Sequence, residues 1–130
     1  MNAINERIIR ETFKASHEGR AHFGWVVETL LGIGVQSYQV DYRARRTTYY
    51  VADEALTIED DAPEEAIADH FDKAALQTAI LGSQQGKVMY PEFRRLSQAA
   101  GCVCYNVWLS GRHVSYSGRN GDAHIERFPD

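Results

Sequence analysis

Gly34-Val35-Gln36-Ser37-Tyr38-Gln39-Val40 and, 67 residues further on, Gly101-Cys102-Val103-Cys104-Tyr105-Asn106-Val107 share a glycine followed four residues later by Tyr-x-Val. A glycine that stops a helix, followed by period-two alternation, marks the passage from helix to strand. Working outward at the same offset, residues 16–59 lie over 83–126 without a gap, and nine of these 44 positions are identical. The identities are Ser16/Ser83, Gly19/Gly86, Gly34/Gly101, Tyr38/Tyr105, Val40/Val107, Arg45/Arg112, Tyr49/Tyr116, Ile58/Ile125 and Glu59/Glu126. Arg20/Lys87, Phe23/Tyr90 and Val26/Phe93 are like-for-like exchanges. Glycines fall at helix ends and tyrosines at strand-interior positions in both stretches, which reads as an internal duplication.

Each copy spells two helices and a β-meander. A first helix is expected over Asn5 to Glu18, capped by Asn2 or Asn5, with Ile4, Ile8, Ile9, Phe13 and Ser16 on one face and Gly19 as its stop. A second runs from Phe23 to Leu31, turns Val26, Val27, Leu30 and Ile33 inward, and is closed by Gly32 and Gly34. In the second copy, Asp69 or Asp72 caps a helix reaching about Gln84, with Phe71, Ala74, Ala75, Thr78 and Leu81 as the buried row, and Pro63 to Asp69 adding a turn before it. Pro91 suits the first turn of the fourth helix, whose inward stripe is Phe93, Leu96 and Ala100. Alternation then places Tyr38, Val40 and Tyr42 on one strand face and Tyr105, Val107 and Leu109 on the equivalent one, with Thr47, Tyr49 and Val51 matching Val114 and Tyr116. Ser110-Gly111 and Asn120-Gly121 mark hairpin turns, and third strands follow at Ala55 to Glu59 and Asp122 to Phe128. The fold class is α+β: a duplicated ααβββ unit, antiparallel strands with helices packed on one face. A single domain of residues 1–130 is expected, with pseudo-repeats at about 1–60 and 68–130 and an acidic connector at 53–72.

Composition narrows the function classes. With 44% hydrophobic and 25% charged residues the chain is an ordinary globular protein. It has no apolar run long enough to cross a bilayer, and Met1 to Arg10 is too polar for a signal peptide, so the expected address is cytoplasmic with no membrane partner. A Cys102–Cys104 disulfide closes no useful loop, in keeping with a reducing compartment. The net charge of −4 and the small Arg43, Arg45, Arg46 cluster at a turn argue against nucleic acid as a partner. Asp53 to Asp72 holds nine acids and no base, read as a solvated connector whose carboxylates favour the start of the next helix.

Ser83-Gln84-Gln85-Gly86-Lys87, Tyr90-Pro91-x-Phe93, and Ala100-Gly101-Cys102 leading into Tyr105-x-Val107 resemble the enterobacterial family of small uncharacterised proteins traditionally labelled "phage envelope protein". Leu31-Gly32-Ile33-Gly34-Val35 and Thr47-Thr48-Tyr49 are similar too, so the resemblance covers most of the chain after about Phe13. Members carry His at the position of Ser83 and an Asp-Gly turn near Ala44-Arg45, so no role for that His transfers here. The resemblance implies a domain of unknown function and brings no activity or cofactor with it.

Residues with catalytic potential do not assemble into a motif. His17, His22, His70, His113 and His124 lack ligand spacing and read as surface residues. Cys102, Cys104 and His113 share a hairpin, but a two-residue turn sets His113 opposite Trp108 and Cys104 opposite Ser117, too far apart to converge on one zinc ion. No Gly-x-Ser-x-Gly elbow is present, neither cysteine has a basic neighbour to activate it, and Gly82 to Gly86 is a helix stop rather than a phosphate loop. No metal or other cofactor is therefore expected. Two candidate sites remain. The outward face of the first hairpin reads Ser37, Gln39, Asp41 and Thr48, while the second carries Cys102, Cys104, Trp108 and Ser115, which points to a contact surface around Cys104, Trp108 and His113 for a protein partner or a homodimer. Alternatively, a cleft where the two copies meet binds a small ligand or substrate through Gln84, Gln85, Lys87, Tyr38 and Tyr105. The first reading, a non-catalytic binding or interaction module, is preferred.

Overall fold

Two helices and three strands follow one another, and then the order recurs. The structure, a computed structural model, describes residues 1–62 and 65–129. Its elements are α1 (Ala3–His17), α2 (Phe23–Gly32), β1 (Ser37–Asp41), β2 (Arg46–Val51), β3 (Glu54–Glu59), α3 (Lys73–Gln84), α4 (Tyr90–Ala99), β4 (Cys102–Trp108), β5 (His113–Gly118) and β6 (Ala123–Arg127). The strands form one antiparallel sheet in the order β3-β2-β1-β4-β5-β6. The expected mixed α+β class is the observed one.

Local chemistry accounts for the boundaries. The Asn2 side chain accepts from the Asn5 N–H and Asp72 accepts from the Ala75 N–H, so α1 and α3 both begin on a side-chain cap. Left-handed backbone recurs at matched positions: Gly19 and Gly86 at φ +73° and +72°, Gly34 and Gly101 at +85° and +87°, Arg45 and Arg112 at +58° and +57°. At the centre of the sheet Tyr38 pairs with Val107, Gln39 with Asn106 and Val40 with Tyr105. That register is unchanged when each position is exchanged for the one 67 residues away.

All the helices cover one face of the sheet. Tyr38, Val40, Tyr42, Tyr49, Tyr105, Val107, Leu109, Val114 and Tyr116 are buried beneath them. Tyr38 and Tyr49 face each other across β1 and β2 with ring centroids 5.3 Å apart, and Tyr105 and Tyr116 do so across β4 and β5 at 5.5 Å. Such aromatic cross-strand pairs contribute beyond their buried area.

Several expected side-chain orientations are corrected. In α3 the buried row is Leu76, Ala79 and Ile80, whereas Ala74, Ala75 and Thr78 are exposed and Leu81 is 46% exposed. Phe71 precedes the helix, so a stripe counted from it is rotated away from the core. Ile4 is exposed on α1, where Ile9, Thr12 and Ala15 are buried. On α4, Leu96 faces out while Ser97 and Gln98 are buried, and the Ser97 hydroxyl is satisfied there by Tyr42 Oη at 2.7 Å. Cys102 does not lie on the outward face: a bulge between Cys102 and Cys104 turns it fully inward. The β4–β5 connection is a loop of Leu109 to Arg112 with Arg112 left-handed, and it keeps the expected pairing of Trp108 with His113 and Cys104 with Ser117.

The expected extra turn before α3 falls partly on Pro63 and Glu64, which lie outside the described residues. From Ile67 onward the connector is strapped down. The Ala68 N–H donates to the Gln98 carbonyl, the Asp72 N–H donates to the Ala100 carbonyl, and the Arg119 guanidinium donates to the Ile67 carbonyl. Among the described residues no helix is long and apolar enough to cross a membrane.

Candidate functional site

Tyr90 opens α4, with Pro91 supplying a first-turn residue that needs no N–H partner. Its side chain borders three adjoining cavities. The seam cavity, about 50 Å³, lies between the helices and the sheet and draws its wall from both halves of the chain: Ser16, Val26 and Tyr38 from one, Ser83, Gln84 and Tyr105 from the other. A second hollow of about 30 Å³ continues towards Thr47 and Tyr49. The third is a cleft of about 230 Å³ bounded by His17, Asp61, Tyr90, Pro91, Arg94, Arg95 and Gln98.

The cleft has an unusual polar wall. Tyr90, Arg94 and Gln98 are spaced i, i+4, i+8 and therefore share one face of α4. Arg94 Nε and Gln98 Nε2 are buried without a hydrogen-bond partner among the described residues, Tyr90 Oη is buried beside the Tyr105 and Tyr42 hydroxyls, and Gln98 is only 1% exposed. An unsatisfied buried polar atom costs about 1–3 kcal/mol, and native chains retain few of them. At the matching positions α2 carries Phe23, Val27 and Leu31, none of which asks for a partner.

His17, at the end of α1, is wedged into the same wall. Its Nε2 lies 2.9 Å from Asp60 Oδ2, its Nδ1 lies 2.9 Å from the Phe13 carbonyl, and its ring stacks on Phe13 at 3.8 Å and tilts against Tyr90 at 4.8 Å. Arg94 completes the cluster, with Nη1 3.7 Å from Asp60 Oδ1 and Nη2 donating to the Asp61 carbonyl at 2.7 Å. Burial works to raise the Asp60 pKa, but the hydrogen bond and charge of His17, with the charge of Arg94, outweigh it and hold the carboxyl below its ordinary value. Burial, and then the charge of Asp60, pushes the Tyr90 hydroxyl well above the usual phenol range, so it stays protonated.

Of the residues expected at a seam site, Tyr38, Tyr105 and Gln84 line the seam cavity, while Gln85 and Lys87 are exposed and outside its wall. Gln84 also donates to the Arg127 carbonyl at 3.3 Å. On the opposite, helix-free face, Trp108 stacks on His113 at 6.3 Å, donates to Ser115 Oγ, and is 39% exposed, with Cys104 half-buried four residues back along the strand. Burial pushes the Cys102 thiol up to about 12, and burial together with Asp41 raises that of Cys104, so neither is an activated thiolate. The histidines are not all surface residues: His124 is buried against Tyr116, and His17 is engaged as above. Likewise the solvated-connector reading fails at Asp60, whose side chain is 7% exposed. Among the described residues no group of three or more His, Cys, Asp or Glu side chains is placed to hold a metal ion.

Sequence reasoning missed Tyr90, Arg94, Gln98, His17 and Asp60. The available signal was the loss of apolarity from Phe23, Val27, Leu31 to Tyr90, Arg94, Gln98, which goes unnoticed when Phe23/Tyr90 is scored as a like-for-like exchange.

The chain belongs to the family described as "Protein of unknown function (DUF1398)", whose profile matches residues 5–126. No curated protein matches it.

Proposed function

We propose that this member of a family of unknown function is a binding module built from two copies of one ααβββ unit, and that its ligand is a small, largely apolar molecule held where the copies meet. Support for duplication comes from the bounds of α2 and α4 and of β2 and β5, which differ by 67 at both ends, and from the matched left-handed residues. One observation carries the binding reading: the seam cavity is walled by Tyr38 and Tyr105, equivalent residues of the two copies, with apolar side chains around them and few polar groups at the rim. Its volume of about 50 Å³ accommodates a few waters, so a ring-sized occupant displaces them and spreads the wall.

Phenol is a suitable probe, being flat and apolar with one hydroxyl. Saturable binding is expected, monitored by the chemical shifts of the Tyr38, Tyr105 and Val107 side chains. Ser83→Phe fills the cavity from a half-buried position and should weaken phenol at least about tenfold at unchanged fold, a loss of about 1.4 kcal/mol. Equal affinity for both proteins would remove the seam as the site. We read the "phage envelope protein" label of the family it resembles as a name without a virion role.

A second reading rests on Trp108, exposed on the face no helix covers, beside His113 and with Cys104 four residues back along the same strand. This surface suits a protein partner or a second copy of the chain. Sedimentation should then show self-association that Trp108→Ser abolishes; a strictly monomeric wild type with a fully water-quenched Trp108 rules out the homodimer.

A further inference from the structure

From the polar row of α4 we infer that the cleft beside the seam recognises a carboxylate, which makes the ligand a small organic monocarboxylic acid. The inference rests on the binding reading above and adds the chemical group that is recognised. The two unpartnered atoms, Arg94 Nε and Gln98 Nε2, can only donate a hydrogen bond, and Tyr90 Oη beside them can donate one. They call for acceptor oxygens.

Charge selects among acceptors. Asp60 is already occupied by His17 and Arg94, leaving the exposed Arg95 guanidinium as the cation at the cleft and the Asp61 carboxylate as the opposing charge. A single negative charge suits this balance better than the dianion of a phosphate ester, and a carboxylate matches the donor geometry of a guanidinium. The comparison between halves separates this role from folding. In α2, Phe23, Val27 and Leu31 occupy the same places in a helix of the same length, so the fold does not require Tyr, Arg and Gln there. Leu31 is 39% exposed where Gln98 is buried, so the comparison shows only that the helix forms without an amide at that place; a buried donor left orphaned beside a cleft is explained by a partner that arrives from outside.

The test is a titration with acetate, and separately with inorganic phosphate, at constant ionic strength, following the 1H–15N signals of Arg94 Nε–H and the Gln98 side-chain amide. Acetate should shift both saturably, and phosphate at least about tenfold more weakly. Gln98→Leu, which copies Leu31, removes an unsatisfied group and so should fold with an unchanged or raised Tm, while weakening acetate about tenfold and leaving phenol binding at the seam intact. No saturable shift, or an unaltered acetate response in Gln98→Leu, overturns the inference; if phenol still binds, the seam reading survives alone. Tighter binding of phosphate than of acetate would reassign the cleft to phosphate and overturn the carboxylate.

Discussion

Gly101→Ala is expected to remove most of the stability of the protein, roughly 4 kcal/mol or more, whereas Gly34→Ala, the same change at the matched residue, should cost about 1–2 kcal/mol. Both glycines sit at nearly the same left-handed φ, so the backbone strain imposed by a Cβ is common to the two. Their surroundings differ. At Gly34 the nearest atom to an added Cβ is Val51 Cγ1 at 4.0 Å, an ordinary contact. At Gly101 the Cβ runs into the His70 carbonyl oxygen, with the His70 carbonyl carbon at 2.8 Å and Phe71 Cα at 3.0 Å. The obstruction is backbone, and the Asp72 N–H pins that segment to the Ala100 carbonyl at 2.8 Å, so it cannot swing aside without losing a hydrogen bond. Urea midpoints of the two variants measure the difference. Comparable losses for both would mean that the connector does not lie against Gly101.

The second large effect is at Asp60. Asp60→Ala should cost about 3 kcal/mol, because it strips the acceptor from His17 and leaves the mostly buried Arg94 guanidinium facing no carboxylate. The pH dependence follows from the direction of its pKa. The folded value lies below the unfolded one, so the contribution is complete above the ordinary Asp range and is lost as pH falls through the lower, folded value. Urea unfolding of the wild type and of Asp60→Asn should therefore differ most near neutral pH and converge below about pH 4. A gap that widens on acidification contradicts a carboxylate stabilised in its charged form.

Strand-level structure was legible because period two is a strict rule: Tyr38, Val40, Tyr105 and Val107 fall on the buried face whatever the turn, and the register Trp108 to His113 survives a loop built differently from the expected one. Helix faces were less legible. In α3 the apolar residues Ala74, Ala75 and Leu81 compete with Leu76, Ala79 and Ile80 for the inward side, and only the packing against the sheet decides between rows separated by one residue. The seam was partly visible, since Tyr38, Tyr105 and Gln84 line it, but Gln85 and Lys87 were drawn in by proximity in sequence and point away from the cavity wall. The His17, Asp60 and Arg94 cluster joins residues from three distant parts of the chain. No local spacing announces it; it exists because the chain leaving β3 passes the end of α1, against which α4 packs.

The most direct test of the seam is where phenol sits in solution, read from intermolecular NOEs. Binding where the two halves of the chain meet predicts contacts to the methyls of Val26, Val107 and Val114 and to the rings of Tyr38 and Tyr105, all of them lost in Ser83→Phe. Contacts confined to Trp108 and the helix-free face, or none at phenol concentrations that saturate the shifts, would contradict it.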